Sequence, residues 1–166
     1  MLSSHYTQRG VGMMEVLVSI LIISVAVLGF IALQMRATVA TEEAIKRSDA
    51  LVILHGLAER IRLNSTDNYK ITIPSTAPAC LSTLKCPRSE QAKIDLYEQN
   101  QIAESKGLKL NVSNCANTSD KQERVCLIAA WNETEPTIGA STDEDRCLNS
   151  DGKYAPKSDC LVLEAY

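Results

Sequence analysis

The pattern of hydrophobic and polar positions begins with a long apolar segment. From Val16 to Leu33 no residue is charged, and the segment contains two serines and one glycine. An α-helix needs about 18 or more apolar residues to cross the hydrocarbon core of a membrane. The apolar region of a secretory signal peptide is shorter, at about 7 to 15 residues. The segment therefore predicts a retained transmembrane helix at residues 16–33.

Helical periodicity continues beyond the apolar segment. No proline occurs between Val11 and Ile73, so nothing forces a break in the helix before that point. Apolar residues recur at steps of three and four, as in an amphipathic helix, at Ala40, Ala44, Leu51, Leu54, Ala58 and Ile61. We expect one continuous helix over residues 11–63, transmembrane in 16–33 and amphipathic in 34–63.

Residues 64–166, which we call the head, contain the signals of a small globular domain. The predicted elements are a strand at Tyr69–Ile73, a helix at Ser89–Lys106 that Gly107 ends, and strands at Leu108–Val112, Val125–Trp131 and Cys160–Tyr166. Together with the long helix they predict an α+β fold. In this fold the long N-terminal helix packs on a small antiparallel β-sheet with disulfide-bonded loops.

All six cysteines lie in the head, at positions 80, 86, 115, 126, 147 and 160. An even number of cysteines, in a chain with only one phenylalanine and one tryptophan, indicates a disulfide framework formed in an oxidising compartment. The head is therefore expected outside the cytoplasm. Six cysteines permit many connectivities, among which we favour the pairing of neighbours in sequence: Cys80–Cys86, Cys115–Cys126 and Cys147–Cys160.

One feature of the strand pattern opposes the pairing of Cys115 with Cys126. If both flanking strands continue to their cysteines, Cys115 shares a polar face with Asn111 and Ser113. Cys126 then shares an apolar face with Ile128. The pairing consequently requires a bulge or the end of a strand.

Charge and composition argue against several classes of function. The net charge is −3 at pH 7, the basic residues are scattered, and the densest charge run, Asp143–Asp145, is acidic. This is not typical of a surface that binds nucleic acid. His55 is the only histidine after residue 10, and no two cysteines have C-x-x-C spacing, whereas a catalytic triad or a metal site needs several such side chains. We expect that the protein is not an enzyme and holds no metal or cofactor.

Glu15 stands directly before the apolar segment, where a charge is costly. An ionised side chain at the bilayer centre costs at least about 2.5 to 3.5 kcal/mol. One interpretation is that the carboxylate complements the positive end of the helix dipole. The other requires cleavage after Gly10, which would make Val11 a positively charged amino terminus. Because four residues of helix rise about 6 Å, the amine and the carboxylate could pair within one chain or between neighbouring chains.

These residues resemble those of type IV prepilins. Gly10 matches the end of the leader, Val11 the first mature residue, and Glu15 the glutamate four residues beyond it, ahead of a long apolar helix. Residues 14–34 and 57–64 are similar to minor pilins of the PilV type. The close resemblance covers about the first 64 residues, and the head shares only its general layout and its cysteines with the family.

Two residues depart from the family pattern. The first mature residue of the family is usually phenylalanine, and here Val11 takes that position. Gly12 offers a second cleavage position, but a cut there would leave Glu15 as the third residue of the mature chain. We favour cleavage after Gly10.

The resemblance implies a processing pathway. A prepilin peptidase removes residues 1–10 and methylates the amine of Val11, and Glu15 then sets the axial register of the subunits through a salt bridge. Before assembly the protein is held in the bacterial inner membrane by one span, with the head in the periplasm. It then enters the pilus, at its tip.

The resemblance also implies a function, that of a minor pilin that primes and caps a type IV pilus and contributes to surface piliation, twitching motility and adhesion. The implied partners are the prepilin peptidase, other minor pilins, the major pilin, the inner-membrane assembly platform and a large tip adhesin. No nucleic-acid partner is expected. Two alternatives stay open: a pseudopilin of a type II secretion system, and a binding module at the pilus tip that uses the loop between Cys147 and Cys160.

Overall fold

A computed structural model gives the fold and describes residues 12–83, 85–118, 124–139 and 145–165. The chain divides into two compact units between Glu43 and Ala44. The division falls inside the first helix, α1 (Met13–Leu63), which is 51 residues long. This length confirms the prediction of one continuous helix.

The first unit consists, in its described part, of the N-terminal portion of α1. Every residue from Gly12 to Glu42 is exposed. The apolar side chains of this unit therefore have no core of their own to pack into. They need lipid or another polypeptide to cover them.

The second unit contains the hydrophobic core, and the C-terminal portion of α1 forms one wall of it. The residues of α1 that are buried there are Ala50, Ile53, Leu54, Leu57, Ala58 and Ile61. They pack with buried residues of the third helix and the main sheet, among them Leu96, Leu127 and Trp131. Leu51, which was expected on the buried side, is 44% exposed, and Ala50 lies in the core instead.

Two further helices follow α1. The short α2 (Ala79–Thr83) lies where the sequence predicted no helix or strand, and a single 3-10 turn at Arg88–Glu90 leads into α3 (Gln91–Ser105). The helix expected at Ser89–Lys106 is thus confirmed. Gly107 has φ +69°, a left-handed conformation that glycine adopts without strain, and it follows the end of α3 as predicted.

The main sheet has three antiparallel strands in the order β1-β2-β5: β1 (Lys109–Asn114), β2 (Val125–Ala130) and β5 (Cys160–Ala165). Leu127 of β2 lies opposite Val112 of β1 and Leu163 of β5. These residues face the core that α1 helps to form. The continuous apolar run at Val125–Trp131 is typical of a central strand with one face covered by the long helix, and β2 confirms this prediction.

A second, two-stranded sheet was not expected from the sequence. Its strands, β3 (Glu135–Gly139) and β4 (Arg146–Asn149), are parallel. Cys147 and Leu148 of β4 pack against Ile128 on the opposite face of the main sheet. Both faces of β2 are consequently buried.

The prediction of a strand at Tyr69–Ile73 is wrong, because this segment forms no regular strand. Tyr69 is buried, and Ile71 and Ile73 pack partly buried against the core, so the alternation of apolar residues does reflect burial. The Lys70 N–H, however, bonds to the side chain of Asn68 at 2.9 Å, as in a turn.

Three disulfides join the pairs favoured from the sequence: Cys80–Cys86, Cys115–Cys126 and Cys147–Cys160. Cys115 lies one residue beyond β1, and its N–H bonds to the Arg124 carbonyl at 2.9 Å. Ser113 lies directly opposite Cys126, so the two share a face of the sheet. The polar side of β1 and the Cys126 side of β2 therefore belong to the same face of the main sheet. The second sheet packs against this face.

Candidate assembly surface

Glu15 lies in the first turn of α1, with its side chain exposed. Its N–H bonds to the Gly12 carbonyl at 2.9 Å, and the Val16 N–H reaches the same oxygen at 3.4 Å. A carboxylate in a first turn is favoured by the helix dipole. The position therefore suits the first interpretation of Glu15 and leaves the carboxylate accessible to a cation of another chain. Gly10 and Val11, the predicted cleavage and methylation positions, lie outside the described residues.

In the described part of the first unit, four hydroxyl groups are satisfied within the helix. Each donates to the carbonyl oxygen four residues before it, at 2.7 to 3.0 Å, in the case of Ser19, Ser24, Thr38 and Thr41. In a hydrocarbon environment an unsatisfied polar group costs several kcal/mol. These bonds remove that cost for the two serines inside the apolar segment.

The apolar segment itself forms a continuous exposed surface. Its large side chains are about half to two-thirds exposed, for example Leu17 at 60%, Leu28 at 67% and Leu33 at 69%. Within the described residues, α1 is the helix whose length and composition suffice to cross a membrane. We call residues 15–35 of this helix the assembly surface.

The second unit contains a polar cluster that was not expected from the sequence. Arg60 Nη1 of α1 donates to Asp95 Oδ1 at 2.9 Å and to Glu98 Oε2 at 2.7 Å, both on α3. Gln91 Nε2 donates to the same Asp95 oxygen at 3.0 Å, and the Tyr69 hydroxyl donates to Asp95 Oδ2 at 2.6 Å. Asp95 is only 4% exposed. Three donors therefore compensate one buried carboxylate.

The cluster shifts the pKa of two of its members. Burial, followed by the hydrogen bond to Asp95, raises the pKa of Tyr69 to about 12. Burial alone would lower the pKa of Arg60, but its hydrogen bonds to Glu98 and Asp95 outweigh burial and raise it. Both shifts favour the state that holds the cluster together, a protonated tyrosine and a charged arginine.

The sequence offered one indirect signal for this cluster. Gln91, Asp95 and Glu98 follow steps of four and three, which places them on one face of a helix. Arg60 falls on the side of the helix opposite the apolar positions, and this pattern predicts a side chain exposed to solvent. The partners belong to different helices, and a contact between helices cannot be deduced from periodicity alone.

Catalytic and metal-binding groupings are not apparent in the parts of the chain that the structure describes. His55 lies on the exposed side of α1. One group of metal-ligand side chains comes together, formed by Cys115, Cys126 and Glu164. The two sulfurs are bonded to each other, so neither is available as the thiolate that binds metals. The expectation that the protein is not an enzyme stays a prediction.

A family model described as Tt1218-like, Type IV pilin Tt1218, matches residues 32–97. The match supports a type IV pilin. No curated protein and no solved structure matches the sequence. The matched segment runs from the apolar part of α1 into α3 and includes the first disulfide and the Arg60–Asp95 pair. Glu15 and the main sheet lie outside it.

The fold agrees with this match. A long N-terminal apolar helix, with its C-terminal portion packed on a small antiparallel sheet, and three disulfides are consistent with the type IV pilin fold. An exposed apolar helix at the start of a pilin is likewise consistent with membrane anchoring and with incorporation into a pilus.

Proposed function

We propose that the protein is a minor pilin that primes the assembly of a type IV pilus and caps the filament. The observation that carries the proposal is the assembly surface, an exposed apolar helix with one acid, Glu15, in its first turn. A surface of this kind is covered by lipid before assembly and by the helices of neighbouring subunits afterwards.

The proposal assigns Glu15 a role in register. A prepilin peptidase cleaves after Gly10 and methylates the new amine of Val11. That amine pairs with the carboxylate of Glu15 on a neighbouring subunit, because two charges that enter an apolar environment together are compensated by pairing. The spacing of the pair along the helix then fixes how far one subunit is displaced from the next.

The proposed function also includes a cellular location and a set of partners for the protein. The subunit waits in the bacterial inner membrane, with the head in the periplasm, where it meets the assembly platform and the other minor pilins. It leaves the membrane when the major pilin extends the filament, and it stays at the tip with a large adhesin. It contributes in this way to twitching motility and adhesion, and it has no catalytic activity.

Deletion of the gene with complementation tests the priming role. We expect fewer surface pili and less twitching in the deletion strain, with the major pilin still present in the membrane, and restoration by the wild-type chain. Unchanged piliation would contradict the proposal. Unchanged piliation together with loss of type II secretion would support a pseudopilin instead.

A further inference from the structure

The three disulfides lie in different environments. Two are buried, with no cysteine more than 8% exposed, namely Cys115–Cys126 and Cys147–Cys160. The third, Cys80–Cys86, is half-buried at both residues. Because the rate of thiol–disulfide exchange depends on access to the sulfur atoms, the third disulfide is the most open to attack.

The loop that this disulfide closes is local. Its cysteines are six residues apart, and it overlaps α2. Two hydrogen bonds of this segment join residues only three positions apart, namely Leu81 N–H to Pro78 O and Thr83 Oγ1 to Cys80 O, each at 3.0 Å. The described residues of this loop belong to no strand and to neither hydrophobic cluster, so opening the Cys80–Cys86 bond leaves the strand pairing and these clusters in place.

The charge around Cys86 favours exchange. Between Asp67 and Glu90 the chain has no acidic residue, and Lys85 and Arg88 flank Cys86 closely. Positive side chains attract the attacking thiolate and stabilise the thiolate that leaves. Cations also stand near the buried pairs in sequence, at Arg124 and Arg146, so access to the sulfur atoms is the main difference between the three disulfides.

We propose that Cys80–Cys86 is a thiol–disulfide exchange site for a dithiol reductant, which opens this loop while the other two disulfides stay closed. One thiolate of the reductant attacks Cys80 Sγ, the Cys80–Cys86 bond breaks, and Cys86 leaves as a thiolate. The second thiol of the reductant, once deprotonated, attacks the mixed disulfide and releases Cys80. The protein gains two electrons and two protons, and the reductant becomes a disulfide.

The proposal goes beyond the pilin function, because it gives the head two states that share one core. In the oxidised state residues 80–86 form a closed loop. In the reduced state the same surface presents two thiols beside Lys85 and Arg88. The main sheet and the two buried disulfides are the same in the oxidised and the reduced state.

Timed reduction of the folded protein tests the proposal. The full chain in detergent micelles is treated with dithiothreitol, quenched with N-ethylmaleimide and digested, and each cysteine peptide is quantified by mass spectrometry. We expect Cys80 and Cys86 to be alkylated at least about tenfold faster than the other four cysteines. Equal rates, or earlier opening of either buried disulfide, would overturn the proposal. The assay needs no assembled pilus, so its failure is distinct from a failure of the pilin function.

Two sets of variants make the test sharper. Lys85→Gln with Arg88→Gln should slow the opening about two- to threefold at low salt, whereas Lys93→Gln, an exposed cation paired with Glu90 at 3.7 Å, should leave the rate unchanged. Equal rates in both variants would contradict the charge-assisted attack. Cys80→Ser with Cys86→Ser should keep the near-UV circular dichroism spectrum of the wild type, and loss of that spectrum would contradict a local opening.

Discussion

The Tyr69 hydroxyl donates a hydrogen bond of 2.6 Å to Asp95 Oδ2 across a sequence separation of 26 residues. Both residues are buried, at 3% and 4% exposure. Arg60 of α1 and Gln91 of α3 donate to the other oxygen of the same carboxylate. Asp95 thereby joins the C-terminal end of α1, the segment that follows it, and α3. A buried acceptor that loses its donor destabilises a protein by about 1 to 3 kcal/mol, so this cluster should contribute strongly to the stability of the second unit.

Tyr69→Phe should lower the free energy of unfolding by about 1 to 3 kcal/mol, because it removes one donor and leaves the buried Asp95 oxygen unpaired. The measurement is chemical denaturation followed by the fluorescence of Trp131, the single tryptophan, which is buried. Tyr154→Phe is the matched control. Tyr154 is 53% exposed, and its substitution should change stability by less than about 0.5 kcal/mol. Equal effects of the two substitutions would contradict the role of the cluster.

The same pair predicts a dependence of stability on alkaline pH. The pKa of Tyr69 is raised to about 12 in the folded protein, whereas an exposed tyrosine has a pKa of about 10. The unfolded state therefore releases this proton first, and the stabilisation is complete below about pH 10 and lost as the pH rises to about 12. The difference in unfolding free energy between the wild type and Tyr69→Phe should shrink over this range. A constant difference would show that Tyr69 does not titrate in this way.

Arg60→Gln should destabilise the second unit by about 1 to 3 kcal/mol, because Asp95 stays buried without its cation. The expected loss of stability is moderate because the Arg60 side chain is 33% exposed, so solvent screens part of the interaction. Arg62→Gln is the control, because Arg62 pairs with Glu59 at 3.0 Å on the exposed side of the same helix turn. Its loss should cost less than about 0.5 kcal/mol. Chemical denaturation followed by Trp131 fluorescence measures both variants. A larger loss of stability in the Arg62 variant than in the Arg60 variant would refute the prediction.

The sequence determined those elements whose signals are local. The length of α1 followed from the absence of proline and the continuous periodicity, and the stop of α3 followed from Gly107. The central position of β2 followed from a continuous apolar run, although the sequence indicated only the long helix as the cover of one face. The pairing of neighbouring cysteines was chosen as the simplest connectivity.

The parts that the sequence could not determine depend on contacts between distant residues. Tyr69–Ile73 alternates like a strand, yet the segment forms no regular strand, and Tyr69 bonds to Asp95 on α3. The parallel sheet of β3 and β4 covers the polar side of β1. No residue pattern within β3 or β4 predicts that these two strands pair. Arg60 likewise looked like an exposed residue until α3 brought two acids beside it.

Glu15→Gln should reduce incorporation into pili and leave the membrane pool unchanged. The neutral side chain keeps the shape of the helix and loses the charge that we propose pairs with the amine of Val11. A loss of about 1.4 kcal/mol in subunit association corresponds to a tenfold reduction in incorporation. Glu42→Gln, at another exposed acid of α1, should incorporate normally. The measurement is the ratio of the protein in sheared pili to that in membranes, and equal ratios for both variants would argue against the register role.

The intact mass of the native protein in sheared pili shows whether the protein is processed, leaves the membrane and joins a filament, as we propose. We expect a chain that begins at Val11, carries one added methyl group, and contains three disulfides. A chain that still begins at Met1 and is found only in the membrane fraction would contradict this proposal.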